Sequence, residues 1–169
     1  MPDKKLRAIF GAFLTIAVFA LPGCSDRPES AAAADEHVLD FDSASVRLAT
    51  RRDTVRLALQ LAITTDQQHL GLMERRHLAE RAGMLFVYDS LQPADAGFWM
   101  YRTRIPLDIA FLDSVGVIRS IRAMVPCTAT IPGGCPAYEP ATPYRYALEV
   151  NAGMLKRWVA EVGAARLLV

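Results

Sequence analysis

The sequence predicts a mainly β protein, α+β only at its margin, in the form of a compact β-sandwich or barrel-like single domain with one or two short helices. Three observations support this fold class. Strand-like apolar segments are short and numerous, helical segments are few and short, and the two kinds do not alternate regularly along the chain. We find no internal repeat, so residues 46–169 are predicted to form one β-rich domain.

The elements follow from local patterns in chain order. Apolar and more polar residues alternate across 55–63, which indicates a strand with one buried face. Thr65, with Gln68 three residues later, is typical of a capped helix, which we expect to end near 75 or 76. Residues 113–116 indicate a hairpin turn. Strands are predicted at 46–49, 55–63, 84–88, 98–101, 109–112, 117–124, 146–150 and 164–169, and a second short helix after 151–153.

Residues 1–23 have the composition of a secretion signal. A basic start precedes an uncharged run at 8–20, which is too short to span a bilayer comfortably. The string Leu21-Pro22-Gly23-Cys24 resembles a bacterial lipobox, in which Cys24 is lipidated and becomes the first mature residue. The alternative is a plain cleaved signal with an incidental cysteine.

A lipid on Cys24 would make the membrane a partner and place the exported protein at the periplasmic face of the envelope. Ser25 follows the cysteine, which favours the outer over the inner membrane by resemblance to enterobacterial sorting patterns. Residues 24–45 are rich in Ala, Ser and Asp, so we expect a flexible tether between lipid and domain.

The charge balance argues against one class of partner. The whole chain has a formal net charge of +1, and residues 1–23 hold three basic residues and one acidic residue, so the remainder stands at −1. A nearly neutral domain offers no electrostatic attraction for nucleic acid or anionic lipid.

Cys127 and Cys135 remain as a pair if Cys24 carries lipid. They flank a loop that contains Gly and Pro, and in an oxidising compartment this favours a disulfide. A metal site is the alternative, but it would need two further ligands, the nearby stretch has no histidine, and the spacing is not that of a zinc knuckle. The sequence therefore predicts no metal and no cofactor.

The most unusual local patterns are short motifs concentrated in residues 71–112. They are Gly71-Leu72-Met73, Gly83-Met84-Leu85-Phe86, Phe98-Trp99-Met100 and Ile105-Pro106-Leu107-Asp108. With Leu148-Glu149, Asn151-Ala152-Gly153 and Gly163, they resemble the signature of a bacterial and archaeal family known only as domain of unknown function 192. The resemblance covers roughly residues 55–167 and implies a compact, mainly β fold but no chemistry. The pair of Cys127 and Cys135 resembles an exported subgroup.

The chain departs from the family pattern at two places. Tyr101-Arg102-Thr103 stands where the family usually has Lys-Asn-Thr, and Gly163-Ala164 stands where it commonly has Gly-Asp. If that Asn or that Asp served a ligand, this protein would lack it or use another residue.

The candidate ligand-binding residues are Arg75, Trp99, Thr103, Asp108 and Glu149. Asp108 could bind a ligand or act as a base at a strand mouth, or it could cap the preceding turn by accepting backbone hydrogen bonds. Arg75 could clamp an anion or pair with Asp108 or Glu149. Glu149 must be paired if it faces inward. Trp99 could line a pocket, although aromatic residues in strands are usually core.

No catalytic constellation is recognisable in the sequence. There is no Gly-rich phosphate loop, no nucleophile elbow, and no Cys–His pair once the cysteines are lipidated or bridged. His69 and His77 do not have the i, i+4 spacing of a helical metal pair.

The leading functional prediction is therefore a small binding or accessory module, with a pocket or edge near Arg75, Trp99 and Asp108, for an envelope protein or a small molecule. Whether any reaction is catalysed stays open, although the sequence favours none. One alternative is an envelope hydrolase or carbohydrate-active enzyme that uses Asp108 with Glu149 or Arg75. The other is a purely structural interaction protein.

Overall fold

The computed structural model describes residues 39–168, so the predicted signal, Cys24 and most of the predicted tether lie outside the described residues. The helical segments are α1 (Thr65–Leu70), α2 (Met154–Arg157) and one 3₁₀ turn at Pro132–Gly134. The strands are β1 (Ser43–Ala49), β2 (Thr54–Ala62), β3 (Ala82–Gln92), β4 (Leu107–Leu112), β5 (Ile118–Met124), β6 (Tyr144–Asn151) and β7 (Arg166–Leu168). No helix in these residues is long and apolar enough to cross a membrane.

The seven strands form one curled sheet in the order β5-β4-β6-β3-β2-β1-β7. Neighbouring strands are antiparallel except β2 and β3, which are parallel. The two edges of the sheet approach each other at one point, where Val117 and Arg166 form an isolated bridge and the Leu167 N–H donates to the Gly116 carbonyl at 2.9 Å. The predicted mainly β, barrel-like single domain is confirmed.

Apolar side chains cover both faces of this sheet. The inner face carries a cluster to which all seven strands contribute, and Leu155 of α2 completes it. The outer face carries a second cluster, in which strand residues pack under Leu72, Leu78 and Met100. We call residues 71–78 and 96–105, which lie over the outer face, the cover. Because both faces are packed, β4 is buried at every position and shows no polar alternation.

Helix α1 begins one residue earlier than predicted and is shorter. Its N-cap is Thr64, whose hydroxyl accepts from the Gln67 N–H at 3.3 Å, while the Gln67 side chain accepts from the Thr64 N–H at 3.0 Å. Gly71, with φ of +48°, ends the helix. A positive φ is accessible to glycine at little cost, so the helix stops there and does not extend to 75 or 76.

One predicted strand is absent from the structure, and the limits of others differ from those predicted, most of all at the end of β3. Residues 98–101 form no strand and make only the isolated bridge of Phe98 with Tyr138, because this segment crosses the outer face as part of the cover. Strand β3 continues to Gln92, past the predicted end at 88. Residues 89–91 are exposed, so apolar alternation does not indicate this part of the strand.

Two local predictions are confirmed. Strands β4 and β5 pair as a hairpin, and the Asp113 carboxylate accepts from the Val115 and Val117 N–H groups at 3.0 and 2.9 Å. Cys127 and Cys135 form a disulfide with a Cα–Cα distance of 5.7 Å.

Candidate functional site

Glu149 is a buried carboxyl on the outer face of the sheet. On β6 it lies between Met84 of β3 and Ile109 of β4. Both neighbours belong to the outer cluster, and side chains in register on adjacent strands share a face, so Glu149 points towards the cover. Only 4% of Glu149 is exposed.

No hydrogen bond or ion pair from the described residues reaches the Glu149 carboxyl, and burial alone raises its pKa from 4.5 to about 8. Among residues 39–168, Ser120 Oγ is the one side-chain nitrogen or oxygen atom that is fully enclosed and has no hydrogen-bond partner. The Glu149 oxygens are therefore not sealed in the core. A buried acid without a partner that is still reachable from outside is typical of a functional site.

The opening above Glu149 is a narrow cleft between the sheet and the cover, which we call the Glu149 cleft. Its inner part has a volume of about 30 Å³, which suits one compact polar group of about the size of a water molecule. A wider part of about 290 Å³ adjoins it. The two parts share Gln68, His69, Phe98 and Trp99 as lining residues.

The motifs that are separate in the sequence meet at this cleft. Gly71 and Met73 of the first motif, Phe86 of the second and Trp99 of the third line its inner part, together with Thr103. Trp99 is 45% exposed, so it does not occupy the core, which was the alternative for this candidate, whereas the adjacent Met100 is fully buried. The cover turns one of these two neighbours to the cleft and the other to the core.

Beside the Glu149 carboxyl, two side chains of the inner cleft offer hydrogen-bond acceptors. The Thr103 hydroxyl donates to the Tyr101 carbonyl at 3.4 Å, which leaves its lone pairs free. The Gln68 amide nitrogen donates to the Val87 carbonyl at 2.9 Å and to the Ile63 carbonyl at 3.2 Å, which commits the donor end of this side chain to the backbone. Both side chains therefore retain acceptor oxygens, and their donors are used within the protein.

Asp108 lies on the opposite face of the sheet. It pairs in register with Val150, a residue of the inner cluster. Its Oδ2 accepts from the Gly153 N–H at 2.8 Å and from the Leu155 N–H at 3.3 Å. Burial raises the pKa of Asp108, and these two hydrogen bonds oppose that rise. Asp108 is thus a cap, as one interpretation held, but it caps the start of α2 rather than the turn before β4.

The predicted partnerships of Asp108 and Arg75 are not formed. Asp108 and Glu149 are separated by the sheet, so they cannot act as a carboxylate pair on one substrate. The Arg75 guanidinium donates to the Gln60 side chain on the outer face instead of pairing with either acid. The predicted arrangement of a hydrolase site, in which Asp108 acts with Glu149 or Arg75, is therefore wrong.

The role of Asp108 as a cap predicts a loss of stability on truncation. Asp108→Ala leaves two N–H groups at the start of α2 without an acceptor, that of Leu155 being buried, and should lower the free energy of unfolding by about 2 kcal/mol. Asp108→Asn keeps one oxygen in place and should cost less than half of this. Guanidinium unfolding of both variants measures the difference; equal losses would contradict the capping role.

Sequence reasoning missed Gln68 and His69 as lining residues of the cleft. Both lie on α1, which was predicted with its cap one residue too late, so the side chains that face the sheet were misplaced. The signal that could have found them is their position, because only Leu70 separates them from the motif Gly71-Leu72-Met73. Among residues 39–168, no three His, Cys, Asp or Glu side chains gather as a group that could hold a metal ion.

The family described as DUF192, an uncharacterized ACR, matches residues 46–166, which include every motif that builds the cleft. The chain belongs to the DUF192 family. A comparison with curated proteins finds no match.

Two crystal structures resemble this DUF192 domain. A candidate transcription regulator from Sinorhizobium meliloti 1021 is 35% identical with a TM-score of 0.68, and the match covers 77% of this chain and 95% of that one. A protein of unknown function from Novosphingobium aromaticivorans DSM 12444 is 27% identical with a TM-score of 0.63, over 88% of this chain and 100% of that one.

One departure from the DUF192 pattern has a backbone explanation. Arg102, where the family usually has Asn, has φ of +55°, a region that Asn enters more readily than Arg. Glu74 also has a positive φ of +61°, and its N–H donates to the Arg102 carbonyl at 2.8 Å. The Arg102 Nε donates in turn to Glu74 Oε1 at 2.7 Å. These contacts hold two strained residues beside Met73 and Thr103 of the cleft.

Proposed function

We propose that this protein is a lipid-anchored binding module of the cell envelope, whose ligand enters the Glu149 cleft. The observation that carries the proposal is the Glu149 carboxyl, which is 4% exposed, lacks a partner among the described residues and lies at the floor of a cleft built from the family motifs. A ligand would supply the partner that the protein itself does not.

Binding explains this carboxyl better than a purely structural role does. A buried acid without a partner destabilises the folded state, and an amide or apolar side chain of similar size would not carry that cost. A structural protein therefore gains nothing from Glu149 at this position. A ligand-binding protein does gain, because a group poorly satisfied in the free state is available for the ligand.

Binding also fits the cleft better than catalysis does. The titratable side chains that line its two parts are Glu149, the exposed His69 and Tyr88. Burial raises the pKa of Tyr88, which therefore stays neutral. The described lining offers no Ser, Cys or Lys nucleophile and no second carboxyl near Glu149. The net charge of −1 after residue 23 gives no support for DNA binding.

A thermal-shift screen of the full-length chain tests the binding proposal. The library should contain envelope sugars, nucleotides, peptides and small amines, and a ligand at about a hundred times its Kd should raise Tm by roughly 10 °C. Trp99→Ala should abolish this shift, because Trp99 lines both parts of the cleft. Asp108→Asn, on the other face, should keep it. Shifts that survive Trp99→Ala would argue for a site elsewhere.

The anchor is supported by the lipobox-like string that ends at Cys24 and by the disulfide of Cys127 and Cys135, which suits an oxidising compartment. Cells that express the protein should incorporate labelled palmitate into it, and Cys24→Ser should abolish the label. A wild-type protein without label in the envelope fraction would favour a plain cleaved signal.

A further inference from the structure

The chemistry of the Glu149 cleft limits the chemical class of its ligand, and this inference rests on the proposed function. We propose that the cleft takes a primary alkylammonium group, with the Glu149 carboxylate as its counter-ion and Trp99 against its alkyl chain. Three properties of the described residues support this: the volume of the inner part, the hydrogen-bonding character of its lining and its aromatic wall.

The inner part of the cleft fits a head group of one heavy atom. Its volume of about 30 Å³ suits an ammonium or hydroxyl group but is small for a planar guanidinium, which has four heavy atoms. The adjoining part of about 290 Å³ has room for a short alkyl chain. The shape therefore selects a compact polar end on a slender apolar body.

The lining of the inner cleft favours a hydrogen-bond donor over an acceptor at the polar end of the ligand. The Gln68 amide nitrogen donates to the Val87 carbonyl at 2.9 Å, and the Thr103 hydroxyl makes a weaker contact with the Tyr101 carbonyl at 3.4 Å, which leaves its oxygen able to accept. An ionised Glu149 adds two further acceptor oxygens. An ammonium has three donors and no acceptor, which complements such a lining better than a hydroxyl does.

The wall of the cleft is aromatic. Phe86 and Phe98 pack edge to face with ring centroids 4.9 Å apart, and Trp99 is 45% exposed beside them. Aromatic faces attract cations as well as alkyl groups. A carboxylate below and aromatic rings beside the same small space are together a recognition site for an alkylammonium.

Binding must displace a proton from Glu149 over much of the physiological range. The protonated carboxyl gives its proton to solvent and the carboxylate pairs with the ammonium, so one proton leaves for each ligand that binds. The other titratable groups that face this carboxyl from the packed elements are His69 of α1 and Tyr88 of β3, and Arg75 is bound to Gln60. Because the pKa of Glu149 is about 8, affinity should rise with pH up to that value.

The experiment is a titration of the full-length, ¹⁵N-labelled chain with n-butylammonium chloride between pH 6 and 9, followed through the amides of Gly71 and Thr103. The Kd should fall about tenfold per pH unit up to about pH 8 and then level off. The neutral isostere n-butanol should bind at least about tenfold more weakly at pH 8.5. The Nα-acetyl-lysine amide distinguishes a protein-borne lysine from a free amine as the source of the ammonium.

Matched variants identify the side chain that causes the preference for the ammonium and its pH dependence. Glu149→Gln should lose the preference for n-butylammonium over n-butanol and the pH dependence together. Asp108→Asn, which makes the same carboxyl-to-amide change on the opposite face of the sheet, should keep both. Trp99→Ala, at a position that is 45% exposed, should abolish measurable binding of the ammonium while the spectrum stays that of a folded protein.

Three results would overturn the ammonium inference. One is n-butanol binding as tightly as n-butylammonium, another is a Kd independent of pH below 8, and the third is no ammonium-induced shift at the cleft amides. In each case, hits in the thermal-shift screen that are lost in Trp99→Ala would show that the binding function stands with a different ligand. A screen without such hits would remove both proposals.

Discussion

Replacing Glu149 by glutamine is expected to stabilise the protein at alkaline pH and to flatten its pH dependence of stability. The folded pKa of Glu149 is about 8 against an ordinary value of 4.5. Between these values the folded state holds a proton that the unfolded state has released, so a rise in pH favours unfolding. The wild type should lose stability on the order of 4 kcal/mol over this window because of Glu149 alone, and the glutamine variant should not.

The measurement is guanidinium unfolding of both proteins at pH 5, 7 and 9. The difference between variant and wild type is the informative quantity, since other carboxyls titrate equally in both. Glu139→Gln removes an exposed glutamate and serves as the control, whose unfolding curve should follow that of the wild type at every pH. A constant offset between Glu149→Gln and the wild type would show that this carboxyl has a partner.

Gly83→Ala is expected to be among the most destabilising small substitutions in the domain. A Cβ at this position would lie 2.4 Å from the Glu149 carbonyl oxygen and 3.0 Å from side-chain carbons of Leu59 and Val150. The carbonyl belongs to the backbone of β6, which pairs with β3 here, so it cannot move without disturbing the sheet. We expect a loss of about 3 kcal/mol in the free energy of unfolding, with a lower Tm.

Gly133→Ala is the matched control for this substitution. A Cβ at Gly133 meets nothing within 4 Å, so the same added methyl should change stability by less than about 0.5 kcal/mol. Calorimetric unfolding of the two variants compares them directly. If both lose the same amount, the cost arises from replacing glycine in general and not from the close approach of β3 to β6.

The fold was predictable where local chemistry and burial agree. Alternation across 55–63 identified β2, and Asp113 builds its turn with its own carboxylate, so neither depends on distant residues. The segment 98–101 was predicted as a strand because it is apolar and aromatic. Such a pattern shows that side chains are buried or packed but not which layer contains them, and here the layer is the cover.

The site was predictable only in part, because sequence does not give strand register. Trp99, Thr103 and Glu149 were candidates, and the structure brings them together. Asp108 was grouped with Glu149, but a shift of one residue in register places a side chain on the other face. Asp108 aligns with Val150 and not with Glu149, which removes it from the cleft.

The disulfide bears on when the cleft becomes complete. Tyr138, just beyond Cys135, exchanges backbone hydrogen bonds of 2.7 and 3.2 Å with Phe98, whose ring forms part of the aromatic wall. The floor of the cleft belongs to the sheet, whereas the wall is held by a segment that follows the Cys127–Cys135 disulfide. The sheet therefore does not depend on the disulfide for its pairing, whereas the aromatic wall does in part. If the cleft binds a ligand as proposed, reduction of the disulfide should weaken that binding before it unfolds the sheet.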